Sequence, residues 1–162
     1  MSCDAVSMSL SILMAAFTTD PAAAPAPAAQ FAIVTPPSVA KEPMFAEIVK
    51  RAGGLKDQVE TLRAAAAADT QAAKPLPGFD EFSQRIAALS SLDMEGHFEL
   101  AKRGVVDDLK CILRGISQDL PVRLKQVAEA KTAKDRDMAL REMTYLLNDN
   151  VEVITSPPQP AA

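Results

Sequence analysis

A chain of 162 residues with no Trp, one Tyr and six Phe has room for one ordinary domain plus tails, but few bulky side chains to fill it. Its 17 basic and 21 acidic residues leave a net charge of −4 and are interspersed rather than gathered in a stripe; this disfavours nucleic-acid binding by phosphate neutralisation and attraction to an anionic membrane surface. Two cysteines, Cys3 and Cys111, and one histidine, His97, are too few for a disulfide framework or a zinc site, so no metal or cofactor is expected.

Residues 1–43 read as a disordered segment made of a short apolar peptide and a Pro/Ala linker. The run MSLSILMAAF at 8–17 is too short to span a bilayer, and no Lys or Arg precedes it, unlike the basic start of a signal peptide. It is read as a docking peptide, as a degenerate export signal, or as a stretch that follows a true start at Met8. The stretch PAAAPAPAAQFAIVTPPSVAKEP at 21–43 lacks the donors for a helix or central strand and favours an extended, semi-stiff linker.

Residues 44–73 form the first predicted helix. Phe45, Ile48, Val49, Ala52, Leu55, Val59 and Leu62 recur at three- and four-residue steps, the stripe of an amphipathic helix. Gly53–Gly54 interrupts it at roughly 1 kcal/mol per glycine relative to Ala, which predicts a kink or two shorter helices. The alanine run that follows has nothing to bury and is expected to fray, and KPLPG at 74–78 is a break. An isolated helix of this length is marginal in water, so the stripe needs a cover. It can fold back on the rest of the chain or pair with a second copy as a homodimer through residues 44–62. The alanine connector favours the second, which makes Ile48, Leu55 and Val59 candidate partner contacts.

Residues 78–150 predict a helical bundle of about four helices. Phe79, Phe82, Ile86 and Leu89 mark the first, ending near Ser90–Ser91. Asp93 is placed to cap the second, with Met94, Phe98 and Ala101 as its stripe. Val105, Leu109, Ile112, Leu113 and Ile116 continue the apolar face to Asp119, and Pro121 suits the first turn of the next helix. After the polar connector EAKTAKDRD, with Thr132 or Asp135 as cap, Met138, Ala139, Met143, Leu146 and Leu147 make the last helix, and Asn148–Asn150 is read as its terminator. VEVIT alternates like a strand but stands alone, and residues 151–162 read as a disordered tail. With no strand series and no βαβ alternation, the fold class is all-α.

His97 invites comparison with histidine phosphotransfer domains, helical bundles whose mid-helix histidine is commonly written H-x-x-K-G. Here Leu100 and Ala101 occupy those two positions, Lys102 and Gly104 lie further on, and Glu95 and Glu99 flank the imidazole. The string GHFELAKRG resembles a fragment of an ankyrin repeat, but no second copy stands near the period of about 33 residues that such arrays need. Asp107/Asp108 and Asp135/Asp137 lie among Lys and Arg as a solvated surface would. Gly104 and Gly115 would share a face in one long helix, or else mark a turn and a weak spot. Arg114 and Asp119 flank the second glycine and are candidates for an intramolecular pair or a partner contact. No nucleophile elbow, phosphate loop or Gly-rich turn is present.

The order of parts is an apolar peptide, a Pro/Ala linker, a helical module and a Pro-rich tail. It predicts a non-enzymatic interaction protein of adaptor or scaffold type, bacterial in composition and cytoplasmic, with a protein partner and no membrane span. The alternatives are phosphotransfer signalling through His97 and an exported helical protein.

Overall fold

A computed structural model describes residues 38–67, 76–104 and 108–156. The apolar run at 8–17, most of the Pro/Ala linker and the Pro-rich end fall outside them. Among the described residues the chain is all-α, with four helices: α1 Pro43–Ala67, α2 Phe79–Lys102, α3 Leu109–Glu129 and α4 Ala133–Thr155.

The helices form a ring in chain order. Each packs on its neighbours, and α1 also closes against α4, while α1 with α3 and α2 with α4 make no close backbone approach. Cross-links fix the directions. Lys56 reaches Asn148 and Arg63 reaches Asp137, so α1 and α4 are antiparallel. Glu42 meets Arg103 and Gln58 meets Arg85, so α1 and α2 are antiparallel too. Ser90 to Ser117 and His97 to Lys110 give the same relation for α2 and α3. This is an up-and-down four-helix bundle.

The residue pattern that produces it is a strict alternation of three- and four-residue steps. In α1 the buried residues are Phe45, Ile48, Ala52, Leu55, Val59, Leu62 and Ala66; in α2 they are Phe82, Ile86, Leu89, Asp93, Gly96 and Leu100. Such a seam repeats every 3.5 residues and lets side chains interdigitate along near-parallel helix axes. Each fully buried Leu, Ile or Phe stabilises by about 1.5–3 kcal/mol, which lets a chain poor in aromatics fold.

The structure revises several boundaries. The stretch 78–150 holds three helices rather than four, and α1 supplies the fourth stave of the same bundle. Gly53–Gly54 lies inside an unbroken α1, because Ala52 and Leu55 on either side are both anchored in the core. Ser90–Ser91 does not end a helix. Instead α2 runs through it, and Met94, Phe98 and Ala101 are offset from the buried seam, leaving Phe98 55% exposed. VEVIT is the last turn of α4, with Ile154 buried. Thr132 does cap α4: its hydroxyl oxygen accepts from the Asp135 amide at 3.0 Å and its hydroxyl donates to the Asp135 carboxylate at 2.7 Å.

Pro121 sits inside α3 rather than at a helix start. A proline there leaves the carbonyl four residues earlier without its helical donor. That carbonyl belongs to Ser117, and the Ser90 hydroxyl of α2 donates to it at 2.7 Å. The hydrogen bond lost within α3 is thus replaced from the neighbouring helix. Gly104 adopts a left-handed φ of 66° and ends α2, which explains a glycine at that turn. The close approach expected of Gly104 and Gly115 belongs instead to Gly96. A Cβ there would lie 3.3 Å from Ile48 Cδ1 and Leu113 Cδ1, whereas one at Gly115 would meet nothing within 4 Å.

Candidate functional site

The first candidate surface is the α1 stripe. Ile48, Leu55 and Val59 are buried against the rest of this chain, with exposures of 0–1%. They are core residues, so the expected homodimer contact through residues 44–62 has no exposed apolar stripe to use. The polar flanks of α1 reinforce the closure: Arg63 bridges Asp137 of α4 at 3.1 Å and Glu60 one turn away, and Thr144 donates to Glu60.

Arg114 and Asp119 are not brought together. Five residues apart on one helix, their side chains leave in directions about 140° apart, and among the described residues they form no ion pair with each other. Asp137 of the pair Asp135/Asp137 holds Arg63 and Arg141 at the surface. No group of three or more His, Cys, Asp or Glu among the described residues could hold a metal ion. Cys111 is half-buried in α3.

His97 is half-buried near the end of α2, and its Nδ1 lies 2.6 Å from the Lys110 carbonyl oxygen. A carbonyl can only accept, so the proton of that bond resides on Nδ1. In the neutral ring the lone pair is then on Nε2. The ring also stands 5.3 Å from that of Phe98, tilted by 55°. The +3 and +4 positions are a buried Leu100 and an exposed Ala101, neither of which can hold a phosphoryl group.

Two polar residues lie in the middle of the core. Asp93 and Asn150 are both 0% exposed, and Asn150 Nδ2 donates to Asp93 Oδ2 at 2.8 Å. The bond joins α2 to α4 across the diagonal of the ring. The sequence suggests a helix cap at Asp93 and a terminator at Asn150; both instead occupy seam positions. The signal was present, since Ile86, Leu89, Asp93, Gly96 and Leu100 step by three and four, as do Met143, Leu147, Asn150 and Ile154. Burial pushes the Asp93 carboxyl up to about 8, against the opposing pull of the Asn150 amide.

A further feature is on the outside. Between α3 and α4, towards their short connection, Arg123, Gln126, Met138, Ala139 and Glu142 line a groove of about 590 Å³. Met138 is 51% exposed and Tyr145, two turns along the same face of α4, is 59% exposed. Val122, one turn before Gln126 on α3, is 51% exposed. Of these three side chains Met138 lines the groove itself, which is rimmed by charges of both signs such as Arg123, Lys131 and Glu142.

Fold and surface together define a heptad-packed, up-and-down helical bundle with an amphipathic groove between α3 and α4. Comparison with family models, curated proteins and solved structures gives no match. Among the described residues, no helix is long and apolar enough to cross a membrane.

Proposed function

We propose that this chain is a non-enzymatic interaction module of adaptor type, and that its α3–α4 face receives an amphipathic helix from a partner protein. The observation that carries the reading is the exposure of Met138 in the α3–α4 groove, with Val122 and Tyr145 exposed further along the same two helices. A partner helix presenting apolar residues at three- and four-residue steps fits such a surface. Methionine adapts its shape to different contacts and tyrosine couples a large apolar body to a polar tip, a combination enriched at binding surfaces. The rim charges supply register and orientation more than affinity.

The test places a photoreactive residue at position 138 or 145 of the full chain in cells, with position 98 as control. Phe98 is equally exposed but lies on α2. Adducts to one protein should form from 138 and 145 and not from 98. Met138→Gln with Tyr145→Ser should abolish its capture while leaving helical content unchanged. Adducts from 98 alone, or capture indifferent to the double substitution, contradict the assignment.

One observation supports a second reading, phosphotransfer through His97. A ring held at Nδ1 by a carbonyl presents Nε2 as the nucleophile. An acid-labile phosphoryl group formed from acetyl phosphate and lost in His97→Gln would favour it; no uptake by the wild-type chain would dismiss it.

A further inference from the structure

The Asp93–Asn150 pair has an imbalance that one proton resolves. The amide donates to Asp93 Oδ2, yet Asp93 Oδ1 and Asn150 Oδ1 are both buried without a hydrogen-bond partner. Both are acceptors, so as an anion Asp93 leaves the pair with two unmet oxygens and no donor. A proton on Asp93 Oδ1 turns that atom into a donor, and the other orphan, Asn150 Oδ1, is the acceptor it needs. The result is a reciprocal acid–amide pair with two hydrogen bonds and no net charge.

We propose that Asp93 is held as the neutral acid in the folded bundle and that its proton closes a two-bond latch with Asn150 between the diagonal helices α2 and α4, which ionisation opens.

The surroundings offer no compensating charge. The inward residues of α1 are apolar, and its nearby cations, Arg51 and Lys56, are engaged with Glu47 and Asn148. On α3 the one buried ionisable residue is Lys110 at the start of the helix, whose carbonyl lies against His97. On α4 the charged neighbours Asp149 and Glu152 are exposed, and on α2 Glu95 is exposed and Glu99 is tied to Arg103. None of these charges contributes to the shift at Asp93, which comes from burial opposed by the amide. Burying an isolated carboxylate is costly enough that a group in this position takes up a proton instead.

The sign of the pH dependence follows. In the unfolded chain Asp93 ionises at the ordinary 3.8; in the bundle it does so at about 8. Below the first value both states hold the proton. Between the two the unfolded chain releases it and the folded chain keeps it, so stability falls as pH rises and levels off above about 8. A single linked proton lowers the folding equilibrium constant about tenfold per pH unit across that window.

Denaturant unfolding of the full chain from pH 5.5 to 7.5 tests this against Asp93→Asn, which keeps the shape and replaces the acid by an amide able to pair reciprocally with Asn150. The wild-type folding constant should fall by about 100-fold more than that of the variant over this range. Equal slopes would overturn the proposal. If the variant does not fold, the carbon-13 titration of the Asp93 carboxyl in the wild-type chain decides. A midpoint near 8 supports the latch, and one in the ordinary carboxylate range defeats it.

Discussion

Two apolar surfaces of this molecule look alike in the sequence and behave oppositely in the fold. The α1 stripe through Phe45, Ile48, Leu55 and Val59 is dense and regular, and it vanishes into the core. Val122, Met138 and Tyr145 stand among other apolar residues of α3 and α4, and they stay in water. The difference is periodic. Residues repeating every three and four positions lie along one seam and can be covered together by a neighbouring helix. A residue displaced by one position is rotated about 100° away from that seam and needs a partner from outside the bundle to be covered.

The contrast is sharpest for truncation. Phe45→Ala should cost about 3–5 kcal/mol, because it leaves a cavity where α1 crosses Gly96. Tyr145→Ser should stay within about 0.5 kcal/mol, because that ring is mostly solvated. Chemical denaturation of the two variants side by side measures both. A loss at Tyr145 comparable with that at Phe45 would place the outer face in the core.

Ser90 should matter only through Pro121. Ser90→Ala removes the donor to the Ser117 carbonyl and should cost about 1–3 kcal/mol. In a Pro121→Ala background the restored backbone amide can take over, and the same substitution should cost close to nothing. A double-mutant cycle reads the coupling directly; additivity would remove Pro121 from the explanation.

Glycine substitutions divide along the same line between seam and surface. Gly96→Ala should destabilise by about 1–3 kcal/mol, since the added methyl crowds Ile48 and Leu113 from two other helices. Gly53→Ala should stabilise by about 0.5–1 kcal/mol, because its Cβ would enter open space on a continuous helix. The two thermal midpoints should therefore move in opposite directions.

The all-α class and the placement of α1 were legible because apolar periodicity reports helix faces well. The punctuation was not. Ser90, Asp93, Pro121 and Asn150 are residues that start, stop or cap helices in isolation. In the bundle Ser90 repairs the gap left by Pro121, and Asp93 accepts a hydrogen bond from Asn150. Local propensity misleads at these four positions because the hydrogen bonds that decide them run between helices, and a partner 27 or 57 residues away leaves no local trace. The outer groove was illegible for a related reason. Met138 shares a run of apolar residues with the core stripe, yet it precedes the buried Ala139 by one position and faces outward.

In this fold α1 is a stave of the bundle, its stripe buried against the same chain. Ile48→Asp combined with Leu55→Asp places two charges at positions now 0% and 1% exposed, each at a cost of several kcal/mol. Circular dichroism and sedimentation of the full-length double variant decide the matter. The structure predicts that helical signal from all four helices is lost together. A variant that keeps a folded 79–155 and changes only its state of association would contradict it.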